Sequence, residues 1–521
     1  MKRIYFYFCL LAVALTTSSC DDFLAEDPKG TLTAETLFMD ENGLDMAISG
    51  IYTLFVRTVN STEFQLYMWC GDDVTSQNAG NKTRFAEYDR FYYNSGNTDL
   101  YSAWSMYYTL IKACNNVINN AETMEIDRSF LEQRVGQAYF YRALEYFNLV
   151  RIWGSVPLVT AVEVDYATSR APVEDIYALI EADLLKAEEY LPDNHSVSPY
   201  FKNGINVAPN KGAAKALLAS AYLTQAGWPL KKGAASYDKA AAKYKEIIDN
   251  ASTFGYALEP DIRTLVTAAS DYSHEIVFGG FLSVDSWQFA SGSCEFPEEA
   301  GGWCDLLPEL DFFYNFPEGR RKDAYFLTTI YLANESELVP WDSPRTNQKH
   351  PHFKKNVDAG IGWVYDYDTK AYTDQGHNWG QNGKTRFIFR YADILLLYAE
   401  AVAFGSGSVA AAVPYVLEVQ NRAEVPADRK VTTGMSKEAF QQAVLNERKW
   451  ETCGNEQSVM GRFFTMQRHE ILHLQGNSRI TTADIHDTTL NPEFTSQTAP
   501  SEQFYYFPIP DQEILIVPGL R

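Results

Sequence analysis

The sequence predicts a mainly α fold: a scaffold of helical hairpins with one long, irregular, loop-rich insertion that carries the working surface. Three observations lead there. Seven segments have helix length and helix-former content: Leu100 to Asn120, Ser129 to Trp153, Val173 to Leu191, Ala208 to Gly227, Tyr237 to Asn250, Phe387 to Phe404 and Lys437 to Glu451. They come in pairs joined by short linkers, with Ala and Tyr recurring at tight packing positions. Between Ala251 and Arg386 helical periodicity fades, and Gly, Pro, Asn and Asp punctuate short aromatic runs instead.

In chain order, residues 1–19 read as an export signal. Lys2 and Arg3 precede an apolar run from Ile4 to Leu15, and small residues lead to Cys20. That run is too short to span a bilayer as a helix. The region resembles a bacterial lipoprotein signal with Cys20 as the lipidated residue, although Thr17 stands where Leu is usual. Residues 20–521 are expected to form one domain. Its helical scaffold covers about 31–250 and 387–475, its loop-rich binding region about 251–386, and an extended tail about 500–521.

Helix stop signals support the borders: Gly154 before Pro157, Pro192 after Leu191, and Gly227 before Pro229. The hairpins have the character of tetratricopeptide repeats with an irregular period. The insertion holds five of the ten Trp, at 287, 303, 341, 363 and 379, and a second irregular stretch runs from Trp69 to Asp99. Long loops inside a compact domain are usually functional.

Composition narrows the ligand class. The chain has 521 residues, with 46% hydrophobic and 21% charged residues and a formal charge of −23, which disfavours phosphate backbones and anionic lipid. Aromatic residues make up 14%, which suits neutral polyhydroxylated ligands. Apart from Cys9 and Cys20 there are five cysteines and no C-x-x-C, so no zinc ribbon or redox pair is expected. Cys294 and Cys304 flank a Pro/Gly-rich loop and are a candidate disulfide.

Several segments together resemble the SusD/RagB family. They are Asp21-Asp-Phe-Leu-Ala-Glu-Asp-Pro28 after the lipid Cys, Gln137 to Thr160, Lys211 to Leu223, Arg390 to Ala401 with Asn421-Arg-Ala423, and Glu447-Arg448 with Glu451, Gly461, Arg462 and Phe463. The closing segment is Tyr506 to Ile514 with Pro518. Thr465-Met466 and Val517 depart from the family pattern. The resemblance implies a non-catalytic, lipid-anchored protein on the extracellular face of the outer membrane. It would capture oligosaccharide or polysaccharide and deliver it to a SusC-like TonB-dependent transporter, lying over the barrel's mouth as a lid. No cofactor and no metal are expected, and no nucleic acid. A member with peptide cargo is an alternative.

Candidate ligand-binding residues come from both irregular stretches: Trp69, Asp73, Arg84, Asn94 and Asn97 from the first, Trp287, Trp303 and Trp341 from the second. Sugars stack apolar C–H faces on aromatic rings and need paired donors and acceptors for their hydroxyls. Trp104, Trp153, Trp228 and Trp450 are expected in helix packing. On a helix, Arg390, Asp393 and Glu400 fall within an arc of about 80° and are expected to form one buried polar seam.

The sharpest rival is His469-Glu470-Ile471-Leu472-His473, the H-E-x-x-H of a zinc metallopeptidase. On a helix it would hold Zn²⁺ between two imidazoles with Glu470 as base. Arg479 stands where the long form places a third ligand, and Glu493 is an alternative. Among weaker signals, Gly405-Ser-Gly-Ser reads as a linker, His350 and His352 as an exposed loop pair, and Asp72/Asp73 and Glu298/Glu299 as solvated or calcium-binding pairs.

Overall fold

The computed structural model describes residues 37–61, 63–76, 80–163, 165–266, 271–282, 295, 297–300, 302–332, 337–355, 363–366, 371–374, 384–454, 458–477 and 501–521. The signal segment, Cys20, Trp287, Cys294, Arg479 and Glu493 lie outside the described residues. Among those described, no helix is long and apolar enough to cross a membrane.

The scaffold is built from α1 (Glu41–Val59), α2 (Thr83–Asp89), α3 (Thr98–Ala121), α4 (Arg128–Trp153), α5 (Val173–Tyr190), α6 (Lys211–Ala226), α7 (Ala234–Asp249), α8 (Tyr391–Phe404), α9 (Val409–Arg422), α10 (Lys437–Glu451), α11 (Arg462–Arg468) and α12 (Asp511–Ile516). From α3 to α7 each helix packs on the next; α7 then packs on α8, and α8 on α9 and α10. That succession is the antiparallel hairpin stacking expected of tetratricopeptide-like repeats.

The helix starts follow side-chain capping. Asp40, Asn97, Asp127, Asn210 and Ser436 each accept a backbone N–H from the first turn of α1, α3, α4, α6 and α10. Helix α4 ends at Gly154, whose φ of +72° an L side chain rarely adopts. The Tyr506 ring lies 2.7 Å from where a Cβ would stand there. The tail is thereby pressed against the α4 terminus, where the Trp153 indole also donates to the Pro508 carbonyl at 3.0 Å.

Six of the seven expected helices form within a few residues of their anticipated borders. The seventh starts late. Arg386–Arg390 is a strand paired antiparallel with Ile276–Gly280, and α8 begins only at Tyr391. The run Arg-Phe-Ile-Phe-Arg alternates bulky residues in the strand manner, and the Arg390 N–H is then capped by Asp393 at 2.8 Å. Helices α1 and α9 are absent from the seven segments. The first is rich in β-branched residues, and the second has Pro414 inside it.

The expected single seam of Arg390, Asp393 and Glu400 is two separate networks. Arg390, Arg422 and Arg321 surround Glu275, Glu447 and Glu451, with Arg390 Nη1 2.7 Å from Glu275 and 2.8 Å from Glu451. Glu400 instead lies among Arg448, Arg468 and His469. Arg390 is the cap residue rather than a member of the helix, so its side chain leaves in another direction. All these side chains are buried except that of His469, which is partly buried. Trp104 and Trp153 are buried too, while Trp228 and Trp450 pack partly buried against the core.

Candidate functional site

The two irregular stretches meet at one junction. Val74–Thr75 (β1) pairs antiparallel with Leu307–Pro308. The Glu309 N–H donates to the Asp73 carbonyl at 3.0 Å, and the Trp69 indole donates to the Asp305 carbonyl at 3.1 Å. Lys82 donates to the Trp303 carbonyl at 2.6 Å and pairs with the Asp305 carboxylate.

The same junction is tied to the end of the scaffold. Asp72 takes Arg462 at 2.6 and 2.8 Å and Lys449 at 3.0 Å, and Asp73 accepts the Gly454 N–H at 2.9 Å. Burial pushes the Asp72 carboxyl up, but Arg462 and Lys449 outweigh it and hold the group well below the usual carboxylate range. Burial and the neighbouring Asp72 charge instead push Asp73 up to about 6, against the pull of the Gly454 N–H.

This placement corrects several expectations. Trp69 is only 1% exposed and stacks on Phe85 with centroids 4.6 Å apart, so its ring is interior. Asp72 and Asp73 are buried and bonded, not solvated. Asn97 caps α3, accepting from Asp99, Leu100 and the Tyr88 hydroxyl, and its amide donates to Glu87. Trp69, Asp73 and Asn97 therefore position the loops. Arg84 is half-exposed and engages Asp99 through Nε and Nη2 at 3.0 and 2.8 Å, with Glu63 at 3.1 Å. Asn94 is exposed, and its side-chain oxygen accepts the Gly96 N–H.

Trp303 is half-buried and precedes the junction strand. Trp341 is half-buried and belongs to a neighbouring hairpin of Thr329–Leu332 and Glu337–Pro340. Its ring rests on Leu327, Ile330, Leu332 and Val339 and lies edge-on to Phe313 at 6.0 Å. Between the two, the Glu298–Ala300 turn meets the 341–351 loop: the Asn347 N–H donates to Glu299 and its amide to Glu298 at 3.5 Å.

Tyr314 was not among the anticipated residues. It is 55% exposed on a short helix, Leu310–Asn315, whose Phe312 and Phe313 face inward. The signal was the aromatic run Phe312-Phe-Tyr314, where three adjacent rings on a helix cannot all face the core. Asp342 lies near enough to add to the upward push that burial gives the Tyr314 phenol.

The metallopeptidase arrangement is not assembled. Helix α11 stops at Arg468, so His469 to His473 lie on a turn, with Glu470 at a φ of +57°. His469 Nε2 is engaged by Glu400 at 2.9 Å, Glu470 pairs with Lys231 at 2.8 Å, and His473 is exposed. Two imidazoles on one helical face, which zinc ligation at this spacing requires, are absent from this segment. Among the described residues no group of three or more His, Cys, Asp or Glu could hold a metal ion.

His350 and His352 are buried, not exposed. Their Nδ1 atoms meet the Pro351 and Glu295 carbonyls, and burial lowers their pKa to about 4 and about 3. Cys304 is a buried free thiol. Gly405 and its neighbours form the α8–α9 linker, as expected.

Comparison with known proteins agrees with this architecture. A family profile described as "Starch-binding associating with outer membrane" matches residues 22–223, and the SusD family profile matches residues 343–521. A SusD-like protein, P2, of Formosa agariphila is 28% identical over 476 residues, spanning 87% of this chain and 88% of that protein. A solved SusD homologue from Bacteroides thetaiotaomicron superposes with a TM-score of 0.76 at 18% identity, covering 95% of this chain and 99% of that one. A structure described as a laminarin-binding SusD-like protein gives 0.69 at 20% identity, covering 92% and 98%.

Proposed function

The chain belongs to the SusD/RagB family, and from that premise we propose that it is a cell-surface glycan-binding lipoprotein, acylated at Cys20. It captures an oligosaccharide on the loop-built face and passes it to a SusC-like TonB-dependent transporter in the outer membrane. It is a binder and not an enzyme. The laminarin-binding description of one structural neighbour supports a glycan ligand.

The observation that carries the reading is the set of accessible rings beside the junction. Trp303 follows the Glu298–Ala300 turn, Trp341 opens the 341–351 loop whose Asn347 meets that turn and which also carries Arg345, and Tyr314 lies near Asp342 of the same loop. Exposed rings next to hydrogen-bonding side chains match the alternating C–H faces and hydroxyls of a sugar chain. Arg84 and Asn94 extend the polar rim, Trp287 is proposed to add a further ring, and Trp69, Asp73 and Asn97 set the loop positions.

Glycan arrays followed by calorimetry on residues 21–521 test this. A glycan ligand whose affinity falls at least about tenfold in Trp341→Ala or Tyr314→Ala supports the site. Wild-type affinity in Trp303→Ala, Trp341→Ala and Tyr314→Ala alike sinks the platform, and a ligand found only among peptides replaces the glycan reading. Co-purification from gently solubilised outer membranes tests the transporter: a protein that emerges without any barrel partner refutes delivery.

A further inference from the structure

A groove of about 330 Å³ lies between α3, residues 157–163 and 165–168, and the C-terminal turn. Its walls are fixed in advance. From α3, the Tyr108 hydroxyl donates to the Pro157 carbonyl at 2.9 Å, Asn115 to the Val159 and Ala161 carbonyls, and Asn119 to the Thr160 carbonyl at 3.0 Å. From the tail, the Asp511 N–H donates to the Ser95 carbonyl at 2.9 Å, which seats α12 beside α3.

The lining is apolar, with Trp104, Ile111, Val159, Val162, Val517 and Leu520 among its residues. The charged residues that line it are Lys112, Glu163, Asp165 and Glu513, three carboxylates to one ammonium, with the exposed Arg170 and Arg521 beyond Leu520. Large apolar side chains also stand in solvent on the bordering segments: Leu515 is 76% exposed, Tyr166 61% and Ile516 49%. Clustered exposed apolar side chains rimmed by polar groups are the usual mark of an interaction surface.

We propose that this groove docks a protein partner through an extended segment whose apolar side chain fills the groove and whose neighbouring Lys or Arg pairs with the rim carboxylates. Charge decides the occupant. A second copy of this acidic chain would bring its own carboxylates to an acidic rim, and anionic headgroups are repelled in the same way. A basic segment with an apolar anchor satisfies both the lining and the rim. None of the three proposed ring residues of the glycan site lines the groove.

A photo-crosslinking side chain at position 515 of the full-length, membrane-bound protein provides the test, with position 185 on α5 (also an exposed Leu) as control. The expected result is a crosslink yield about tenfold above the control, mapped to a segment with an apolar residue within two positions of Lys or Arg. Combining Glu163→Lys with Glu513→Lys should then lower the yield about tenfold. A yield equal to the control overturns the proposal. So does a crosslinked segment that is acidic or wholly polar, or one belonging to a second copy of this chain. Glycan affinity measured on Leu515→Asp should be unchanged, which separates failure here from failure of the glycan site.

Discussion

The helical scaffold and the loop-built junction both bury charge, and they do so to different degrees of completion. In the scaffold, Glu451 lies among Arg321, Arg390 and Arg422, and these cations hold its carboxyl far below the ordinary range despite the upward push of burial. At the junction, Asp72 is matched in the same way, but Asp73 beside it accepts a backbone N–H from Gly454 and remains ionisable near neutrality. The helices are locked together by ion networks in which Glu275, Glu400 and Glu451 each meet more than one cation, although guanidinium nitrogens of Arg321, Arg422, Arg448 and Arg468 stay without a hydrogen-bond partner. The loops are held by short ladders, side-chain-to-backbone bonds and the separate Asp72 and Asp305 ion pairs, and they keep one group, Asp73, whose charge is poorly compensated. The scaffold therefore bears most of the stability, and the junction sets the shape of the face.

The largest effect expected is Glu451→Ala, which leaves three guanidinium groups facing a void. Removing one partner of a buried pair costs about 3–5 kcal/mol, and this site should fall at the upper end. Urea unfolding checks it, and an unchanged midpoint would show that the network is not what joins α8, α9 and α10. Next is Trp69→Ala, at about 3–4 kcal/mol for a buried Trp, with ligand affinity lost as a secondary result of loop collapse. Full affinity in a stable Trp69→Ala protein would contradict its positioning role.

Asp73→Asn tests the contrast directly, and its sign is opposite. The folded-state pKa of Asp73 is raised, so its contribution to stability grows as pH falls from about 7 toward 4 and is unfavourable above that window. Asp72, with its pKa lowered, contributes stability above the unfolded value that is lost as pH falls further. Asp73→Asn should therefore raise stability at pH 8 by about 1–3 kcal/mol and flatten the profile between pH 7 and 4. Thermal unfolding across that range reads the effect, and a destabilised variant at pH 8 would reverse the assignment. Smallest is Tyr314→Ala, within about 0.5 kcal/mol of wild type because the side chain is exposed. A larger loss in thermal unfolding would mean that its ring packs rather than waits for ligand.

Much of the scaffold was legible because helix signals are local. Gly154, Pro192 and Gly227 sit where the stop chemistry read from the sequence needs them, and the long helices α3 to α7 carry their own periodicity, whereas Asn97, read as a ligand contact, is the cap of α3. The strand Arg386–Arg390 was not separable from the helix that follows, since only its pairing with Ile276–Gly280 distinguishes five apolar-rich residues from a first helical turn. The site was legible as a region and much less so as residues. Trp69 and Trp341 have equally irregular neighbourhoods in sequence, yet one is interior and the other half-exposed.

The sequence by itself determined the helical hairpins, the two irregular stretches and the family segments, because propensity, capping and composition act over a few residues. Tertiary structure alone decided that Glu400 faces Arg468 rather than Arg390, that His469 is a hydrogen-bond partner of Glu400 on a turn, and that Tyr314 stands in solvent. Each of those outcomes depends on groups tens to hundreds of residues apart competing for the same buried space. Burial then sets which polar atoms must be paired, and no local pattern specifies the partner.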